Sequence, residues 1–531
     1  MTTLRRPLVL SGFMATGKST VGRIVAEELR VPFVDLDEHI AAQAGKSVPE
    51  LFASEGEGRF RDREALAATP MLRDQLPRVI SFGGGTMTVE AVRHLALERA
   101  TVVTLTARAE TIVSRVELLS GRPNLVAQSP MQRVRDLLAL RREVYAECHA
   151  QISTEGQTPD ALAKRIVSIA TRDGLAMPLG GRSYTVEMAD GEPELLTETL
   201  RELRPSSLLI VTDSNVRTAR GAWLEAALRP LGALPRSIVE IVPGEPSKNL
   251  STVSRIWDHA LAEGVDRDAV VVAFGGGVVG DLAGFAASTL LRGVRCVQIA
   301  TTLLSMVDSS VGGKTGFDHV AGKNLIGSFF QPNRVIVDLE HLSTLPARER
   351  AAGLAEIVKI ALVDDAELLH ALERDAERLA SGDRAALRPI VRAAIQAKIR
   401  IVRDDERESG KRALLNLGHT VGHALEANGE YTSLLHGEAV AVGTVLEMRA
   451  TARLGLTPAD LPSRAEALLR RLGLPVSSSA TEVEAAWPFV LSDKKRAASS
   501  MRLPTVTGVG RGEVITLTID ALRDAVLATC S

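Results

Sequence analysis

A glycine-rich loop set between a short apolar strand and a helix is the feature that most narrows what this chain can fold into. The stretch runs PLVLSGFMATGKSTVGRIVAEELR, with Gly12, Gly17, Lys18, Ser19 and Thr20 at the spacing G-x-x-x-x-G-K-S-T. The two glycines permit a tight turn. The loop N–H groups, backed by the N-terminus of the following helix, can then surround phosphate oxygens. Lys18 would reach the β- and γ-phosphates of a nucleotide and Ser19 would ligate Mg²⁺. The expected ATP contacts are Gly12, Ala15, Thr16, Gly17, Lys18, Ser19 and Thr20. A loop of this kind requires a parallel sheet behind it, so the fold class begins as α/β.

One such module cannot account for 531 residues, a length that suggests roughly three to four domain-sized units. Hydrophobic residues make up 45% and charged residues 24%, which is globular rather than disordered or fibrous. A formal net charge of −2 argues against nucleic acid as a partner. Cys148, Cys296 and Cys530 have no paired spacing, which fits a reducing compartment. No apolar run reaches about 18 residues, so no membrane partner is expected. The opening MTTLRRPLVLSGF runs straight into the loop and reads as no secretory signal. A cytoplasmic enzyme acting on small molecules is expected.

Acids and arginines follow the loop in a pattern that needs explaining. The segment VPFVDLDEHI is a strand ending in Asp35 and Asp37, placed to point into the crevice where ligands of parallel sheets bind. Then come Arg61 in FRDRE, Gly83, Gly84 and Gly85 after a third strand, Arg122 in SGRPNL, and Arg141 in LALRREVY. Each arginine alone reads as a surface residue. Together with the acids they suggest a small, anionic, hydroxylated acceptor. Residues 5–171 resemble shikimate kinase, a short P-loop kinase with a nucleoside-monophosphate-kinase-like parallel sheet. The resemblance implies that Asp37 binds the shikimate hydroxyls and acts as base or orienter. It implies that Arg61, Arg141 and Gly83–Gly85 hold the ring and carboxylate. Arg122 would close over ATP from a lid, and Asp35 would support Mg²⁺ beside Ser19.

Punctuation by Gly174, Pro178, Gly180 and Gly181 places a linker at 172–181. Beyond it, residues 182–340 read as a Rossmann-like α/β part and 341–531 as a mainly helical part. The strand SLLIVTD ends near Asp213 and Asn215, and IVPGEPSKN offers Glu245 and Lys248. AVVVAFGGGVVGD satisfies the dinucleotide fingerprint with Gly275, Gly277 and Gly280, but no acid lies between Asp281 and Asp308. Ribose acids must therefore come from upstream, where Asp213 and Glu245 are the candidates. A glycine turn packing a helix on its strand remains the alternative. The segment TTLLSMVDSSVGGKTGFDHVAGKNLIGSFFQP carries Asp308, Lys314, Lys323 and Asn324 among glycines; TTLLSMV is too apolar for an ordinary surface loop, and the segment reads as an anion site.

Three of the ten histidines, His419, His423 and His436, lie in one stretch. His419 and His423 are four apart and share a face if the segment is helical. Spacing alone nominates all three as metal ligands. The blocks GGGVVGD, VDSSVGGKT, GKNLIGSFFQP, LAEIVK, NLGHTVGHALE and LHGE together resemble 3-dehydroquinate synthase. The resemblance implies a different ligand set: Glu356, His419 and His436 on Zn²⁺ or Co²⁺, with His423 facing the substrate. It implies conversion of 3-deoxy-arabino-heptulosonate 7-phosphate to 3-dehydroquinate and phosphate, with NAD⁺ as a recycled cofactor. Substrate groups would be Arg292, Asp308, Lys314, Asn324, Lys359, Lys398, Arg412, Asn416 and Lys494 or Lys495. Nucleotide contacts would fall on Asp213, Asn215, Glu245, Lys248, Gly275, Gly276, Gly277, Gly280, Asp281, Thr301, Thr302 and Lys323. Arg292 would reach across a dimer interface, so a homodimer is implied.

Two other readings compete. A metal- and NAD-dependent polyol dehydrogenase shares the general architecture, but a neutral polyol leaves Lys314, Lys323, Arg412 and Asn416 without a purpose. A nucleotide-sensing first module would not require the acceptor residues Asp37, Arg61 and Arg141.

Overall fold

The computed structural model describes residues 3–117, 129–320, 322–430, 433–493 and 500–530. The chain divides into two compact units, Met1–Glu187 and Met188–Ser531. The stretch 172–181, expected as a linker, contains a strand, Asp173–Met177, ahead of the strand Tyr184–Ala189 in which the division falls. Glycine and proline density marked a turn between two strands rather than an unstructured connection.

The first unit is built on five parallel strands in the order Phe33–Asp35, Val79–Ser81, Leu8–Gly12, Thr101–Thr106, Ala150–Ser153. Alternation sorts the central strand: Leu8 and Leu10 pack with Val21, Val25 and Ile166, while Val9 packs with Leu36, Phe60 and Ile80 on the other face. Both faces are apolar, as a parallel sheet covered by helices on each side requires. Gly12 ends the central strand at φ 129°, and a Cβ there would lie 2.2 Å from the Leu105 carbonyl oxygen. Only glycine lets the chain turn that close to its neighbour.

The second unit opens with parallel strands ordered Arg334–Asp338, Arg295–Ala300, Val270–Gly275, Leu208–Asp213, Arg236–Ile241. Leu209, Val211, Val271 and Ala273 face Leu282 and Ala286 of the helix Gly277–Thr289. Leu208, Ile210, Val272 and Phe274 face Leu196 and Trp223 on the other side. The glycine-rich segment expected to bind anions is a short helical turn, Ser305–Ser309, followed by an antiparallel ribbon of Lys314–His319 and Gly322–Phe329. Its glycines serve the ribbon: a Cβ on Gly316 would lie 2.4 Å from the Ile326 carbonyl oxygen, and one on Gly327 2.2 Å from that of Thr315.

Helices dominate after residue 346, among them Ala347–Asp364, Arg384–Asp404, His419–Asn428 and His436–Arg453. An antiparallel pair, Ser500–Gly508 and Arg511–Thr518, is an addition the sequence pattern did not suggest. Among the described residues no helix is long and apolar enough to cross a membrane.

Three of these helices cross at glycines. A Cβ on Gly443 would sit 2.0 Å from the Gly418 carbonyl oxygen, and one on Gly437 would sit 2.0 Å from that of Ala352. The helix His436–Arg453 therefore touches the backbones of both Ala347–Asp364 and the turn opening His419–Asn428. Gly443→Ala is expected to cost roughly 1–3 kcal/mol through overpacking. All three tryptophans, Trp223, Trp257 and Trp487, belong to the second unit. A lower urea midpoint by tryptophan fluorescence checks the expectation.

Candidate active sites

In the first unit the loop wraps its own lysine. Lys18 Nζ donates to the carbonyl oxygens of Gly12 and Phe13, both at 2.9 Å, and Thr16 Oγ1 donates to Phe13 O at 2.8 Å. The helix Lys18–Leu29 has no side-chain cap, so its first N–H groups face the loop mouth. Ser19 Oγ donates to Asp35 Oδ2 at 2.5 Å, and Asp35 also caps the next helix by accepting from Asp37 N at 3.1 Å. A hydroxyl beside a carboxylate is a donor set that suits Mg²⁺.

The triglycine segment gathers the acceptor groups. A Cβ on Gly83 would lie 2.7 Å from Asp37 Oδ1 and 2.3 Å from Glu64 Oε1, and one on Gly85 would lie 2.1 Å from Arg61 Cζ. Arg141 Nη1 donates to Gly84 O at 2.8 Å, and Tyr145 Oη donates to the same oxygen at 2.5 Å. Side chains at these glycines would fill the space in which one carboxylate pair and two guanidinium groups converge. Arg61 meets Glu64 at 2.5 Å and Glu57 at 2.7 Å. Glu64 is fully buried, and burial pushes its carboxyl above the usual range although Arg61 and Thr86 oppose the shift. The sequence reading passed over Glu64, although its place three residues after Arg61 on one helix face was the signal available. Arg122 lies outside the described residues.

In the second unit the dinucleotide segment closes tightly. Thr301 N donates to Gly275 O at 3.0 Å, and a Cβ on Gly276 or Gly277 would meet Thr302 or Ser309 near 3 Å, at 3.0 and 3.1 Å respectively. The helix Gly277–Thr289 has no side-chain cap, leaving N–H donors of the kind a pyrophosphate takes. Asp213 caps the helix Ser214–Leu228 through Val216 N at 2.9 Å, and Asn215 is exposed in its first turn. Lys248 pairs with Asp281 at 2.6 Å and donates to Asn324 Oδ1 at 2.6 Å. Lys323 pairs with Glu245 at 3.2 Å and with Glu426 at 3.3 Å. Five of the nucleotide candidates, Asp213, Glu245, Lys248, Asp281 and Lys323, thus join in ion pairs or a helix cap.

The histidine cluster is the centre of this unit. Ring centroids of His419, His423 and His436 lie 5.0, 5.3 and 5.6 Å apart, and one nitrogen from each falls within 4.8 Å of the others. Two of the rings are turned alike. His419 Nδ1 lies 3.1 Å from Leu417 O, and His436 Nδ1 lies 3.1 Å from Glu426 Oε2. Their Nε2 atoms then face Glu356 Oε1, at 3.9 and 3.5 Å. Glu356 is completely buried, and its carboxylate is in ion-pair contact with Lys359 and faces His436. One carboxylate with two imidazole nitrogens is a donor set for a divalent ion with open positions. Burial alone would raise Glu356, but Lys359 and His436 outweigh it and hold the carboxyl at about 2. Burial, with Lys359 and the other two rings, pushes the His419 imidazole well below its ordinary value.

Cationic groups surround this centre. Lys398 Nζ meets Asp308 Oδ1 at 2.5 Å, and burial lowers that ammonium to about 8. Arg412 is buried, donating to the carbonyls of Glu406 and Gly312. Lys314 and Asn416 both bind Glu408, an acid the sequence reading did not single out. Asn324 accepts from Lys248 Nζ at 2.6 Å. Arg292 stands exposed after the helix end, with φ 67° and no ion pair among the described residues. Lys494 and Lys495 lie outside the described residues.

A 3-dehydroquinate synthase from Pelobacter propionicus is 42% identical over 349 residues, 66% of this chain and 97% of the relative. The chain belongs to the 3-dehydroquinate synthase family. Family profiles agree: those for 3-dehydroquinate synthase N-terminal and C-terminal match residues 238–352 and 353–496, and that for shikimate kinase matches 14–171. The chain is thus a fusion of a shikimate kinase domain and a 3-dehydroquinate synthase domain, both enzymes of the shikimate pathway. Two solved structures share the synthase fold. A 2-epi-5-epi-valiolone synthase from Streptomyces hygroscopicus subsp. jinggangensis 5008 with NAD⁺ and Zn²⁺ bound is 31% identical, with a TM-score of 0.58 over 65% of this chain and 96% of that one. A 2-deoxy-scyllo-inosose synthase with carbaglucose-6-phosphate, NAD⁺ and Co²⁺ is 25% identical, with a TM-score of 0.61 over 67% and 99%.

Burial would raise Asp308, yet Lys398 and Lys359 hold it at about 2. A carboxyl depressed on folding contributes stability that is present above its ordinary value and lost as pH falls through the folded one. Asp308→Asn is therefore expected to destabilise the synthase unit near neutrality. Urea unfolding should show the difference from the parent shrinking as pH falls from about 5 towards 2.5.

Proposed function

We propose that the two domains catalyse separate reactions, shikimate phosphorylation by ATP and formation of 3-dehydroquinate with phosphate release from the heptulosonate phosphate. The observation that carries the reading is the Glu356, His419 and His436 centre ringed by cations, a site for an anionic, oxygen-rich substrate. A polyol dehydrogenase would not need Lys314, Lys398, Arg412 and Asn416.

In the kinase domain the Gly12–Thr20 loop and Lys18 hold the terminal phosphates of ATP, while Ser19 and Asp35 hold Mg²⁺. Asp37 orients the acceptor hydroxyl, and Arg61 and Arg141 fix the carboxylate over Gly83–Gly85. Phosphoryl transfer rests mainly on positioning and charge neutralisation. Lys18 and Arg61, which the free protein engages with its own carbonyls and acids, exchange those partners for substrate. Arg122 completes the reading as the lid arginine.

In the synthase domain Glu356, His419 and His436 hold the metal, and Asp213, Asn215, Glu245, Lys248, Lys323, Thr301, Thr302 and the Gly275–Asp281 turn hold NAD⁺. When bound, the metal would supply polarisation of substrate hydroxyl oxygens and NAD⁺ a reversible hydride acceptor, with no net oxidation. Lys314, Lys398, Arg412, Asn416, Asn324 and one of Lys494 and Lys495 grip the anionic ends of the substrate. His423, beside the ligands and facing the cluster, moves protons as phosphate leaves, with Lys359 and Asp308 setting the local charge. Arg292, exposed on its own chain, supplies a cation to a second copy, which makes the enzyme a homodimer. The cysteines form no disulfide, which fits a reducing interior, and we place the enzyme in the cytoplasm.

The purified whole chain tests this with two variants. Lys18→Met should lower shikimate-dependent ADP formation by about a hundredfold or more while phosphate release from the heptulosonate phosphate persists. His419→Ala should do the reverse. Loss of both activities in either variant, or no ADP formed on adding shikimate to the parent, would contradict the assignment.

A further inference from the structure

Glu426 is buried in the synthase unit, yet the reaction as described gives it no role. It belongs to the helix His419–Asn428, seven residues after His419 and three after His423, so all three lie along one face. Its Oε2 receives the Nδ1–H of His436 at 3.1 Å, and its Oε1 meets Lys323 Nζ at 3.3 Å. Lys323 in turn meets Glu245 at 3.2 Å.

This placement decides which nitrogen of His436 is available. An imidazole whose Nδ1–H is held by a carboxylate presents Nε2 on its other side, where it can ligate an ion once it gives up its own proton, and Nε2 is the atom facing Glu356 at 3.5 Å. His419 reaches the same state through a backbone carbonyl, Leu417 O at 3.1 Å. The two rings are thus oriented by partners of different strength. A neutral carbonyl serves His419, and a carboxylate, which makes the ring a better donor to a cation, serves His436. Lys323 draws on the same carboxylate from the nucleotide side.

We propose that Glu426 is a positioning residue that fixes His436 as an Nε2 metal ligand, with Lys323 tempering the charge it supplies. The proposal rests on Glu356, His419 and His436 being the metal ligands. The relay Glu245, Lys323, Glu426, His436 also gives a path by which groups on the nucleotide side bear on metal affinity.

The test strips the whole chain of metal and titrates it with Co²⁺, reading the visible absorption of the bound ion and its Kd by chelator competition. Glu426→Gln keeps an acceptor but drops the charge, and is expected to weaken Co²⁺ binding about tenfold. Glu426→Ala removes both and is expected to weaken it about a hundredfold, with a changed Co²⁺ spectrum. Lys323→Met frees the carboxylate for His436 and should tighten binding several-fold, an effect largely absent when Glu426 is already Gln. A purely structural Glu426 would lower the melting temperature and leave Kd, spectrum and this coupling unchanged, which overturns the proposal. If Glu426→Ala does not fold, the Gln variant and the double-mutant cycle decide in the same way. Should Glu356→Gln and His419→Ala bind Co²⁺ like the parent, the ligand assignment itself fails and the proposal falls with it. Should they lose binding while both Glu426 variants keep it, only the proposal fails.

Discussion

Backbone contact between three helices is the constraint on which the synthase unit depends. Glu356, His419 and His436 sit on three different helices, and their side chains converge only if those helices cross with almost no side chain between them. Gly437 lies on Ala352, and Gly443 lies on Gly418. Two buried or half-buried acids then fix the crossings. Glu447 accepts from Gly418 N at 2.8 Å and Val421 N at 3.0 Å, satisfying donors that the start of a helix otherwise leaves unpaired. Glu438 pairs with both arms of Arg348 at 2.6 Å, tying the start of one helix to the start of another. Cap, ion pair and glycine contact act on the same three backbones, so the ligand positions are held by packing rather than by the ligands themselves.

Charge is arranged around that frame in opposed pairs. Glu356, Asp308 and Glu426 are acids in places where burial disfavours charge, and each is held near a pKa of about 2 by cations that outweigh burial. Lys359, Lys398 and Lys323 are those cations, beside histidines of the cluster. Removing one member of such a pair leaves a buried charge alone, which is why these positions are costly to change. The same pairing keeps an excess of donors ready for an anionic substrate. In the kinase unit the logic repeats on a smaller scale, with Arg61 balanced by Glu57 and the buried Glu64.

Much of this was legible in the sequence, and for physical reasons. The phosphate loop needs glycine and lysine at fixed positions after a strand, so Gly12–Thr20 was readable residue by residue. The i, i+4 pair His419 and His423 reads as a helix face, and the structure supplies that helix. Spacing alone, however, put His423 on equal terms with the other two. Which ring nitrogen faces Glu356 depends on Leu417 O and Glu426, contacts no spacing rule reports. Glu426 itself was within reach, since H-x-x-x-H-x-x-E places it on the same stripe. Glu447, Glu438 and Glu408 were not, because each acts across elements far apart in sequence. The strands of the ribbon at 314–329 were not legible, because glycines needed for strand approach carry the same signature as turn glycines. The strand Asp173–Met177, inside the stretch expected as a linker, was hidden in the same way.

The central claim is a recycled nucleotide serving a phosphate elimination at the Glu356, His419 and His436 centre. The most direct measurement supplies the whole chain with the heptulosonate phosphate, Zn²⁺ and a trace of NAD⁺, and follows inorganic phosphate and NADH absorbance together. The account predicts phosphate in large excess over NAD⁺, with no accumulation of NADH. NADH accumulating in step with NAD⁺ consumed, without phosphate release, would contradict it and make this unit a dehydrogenase.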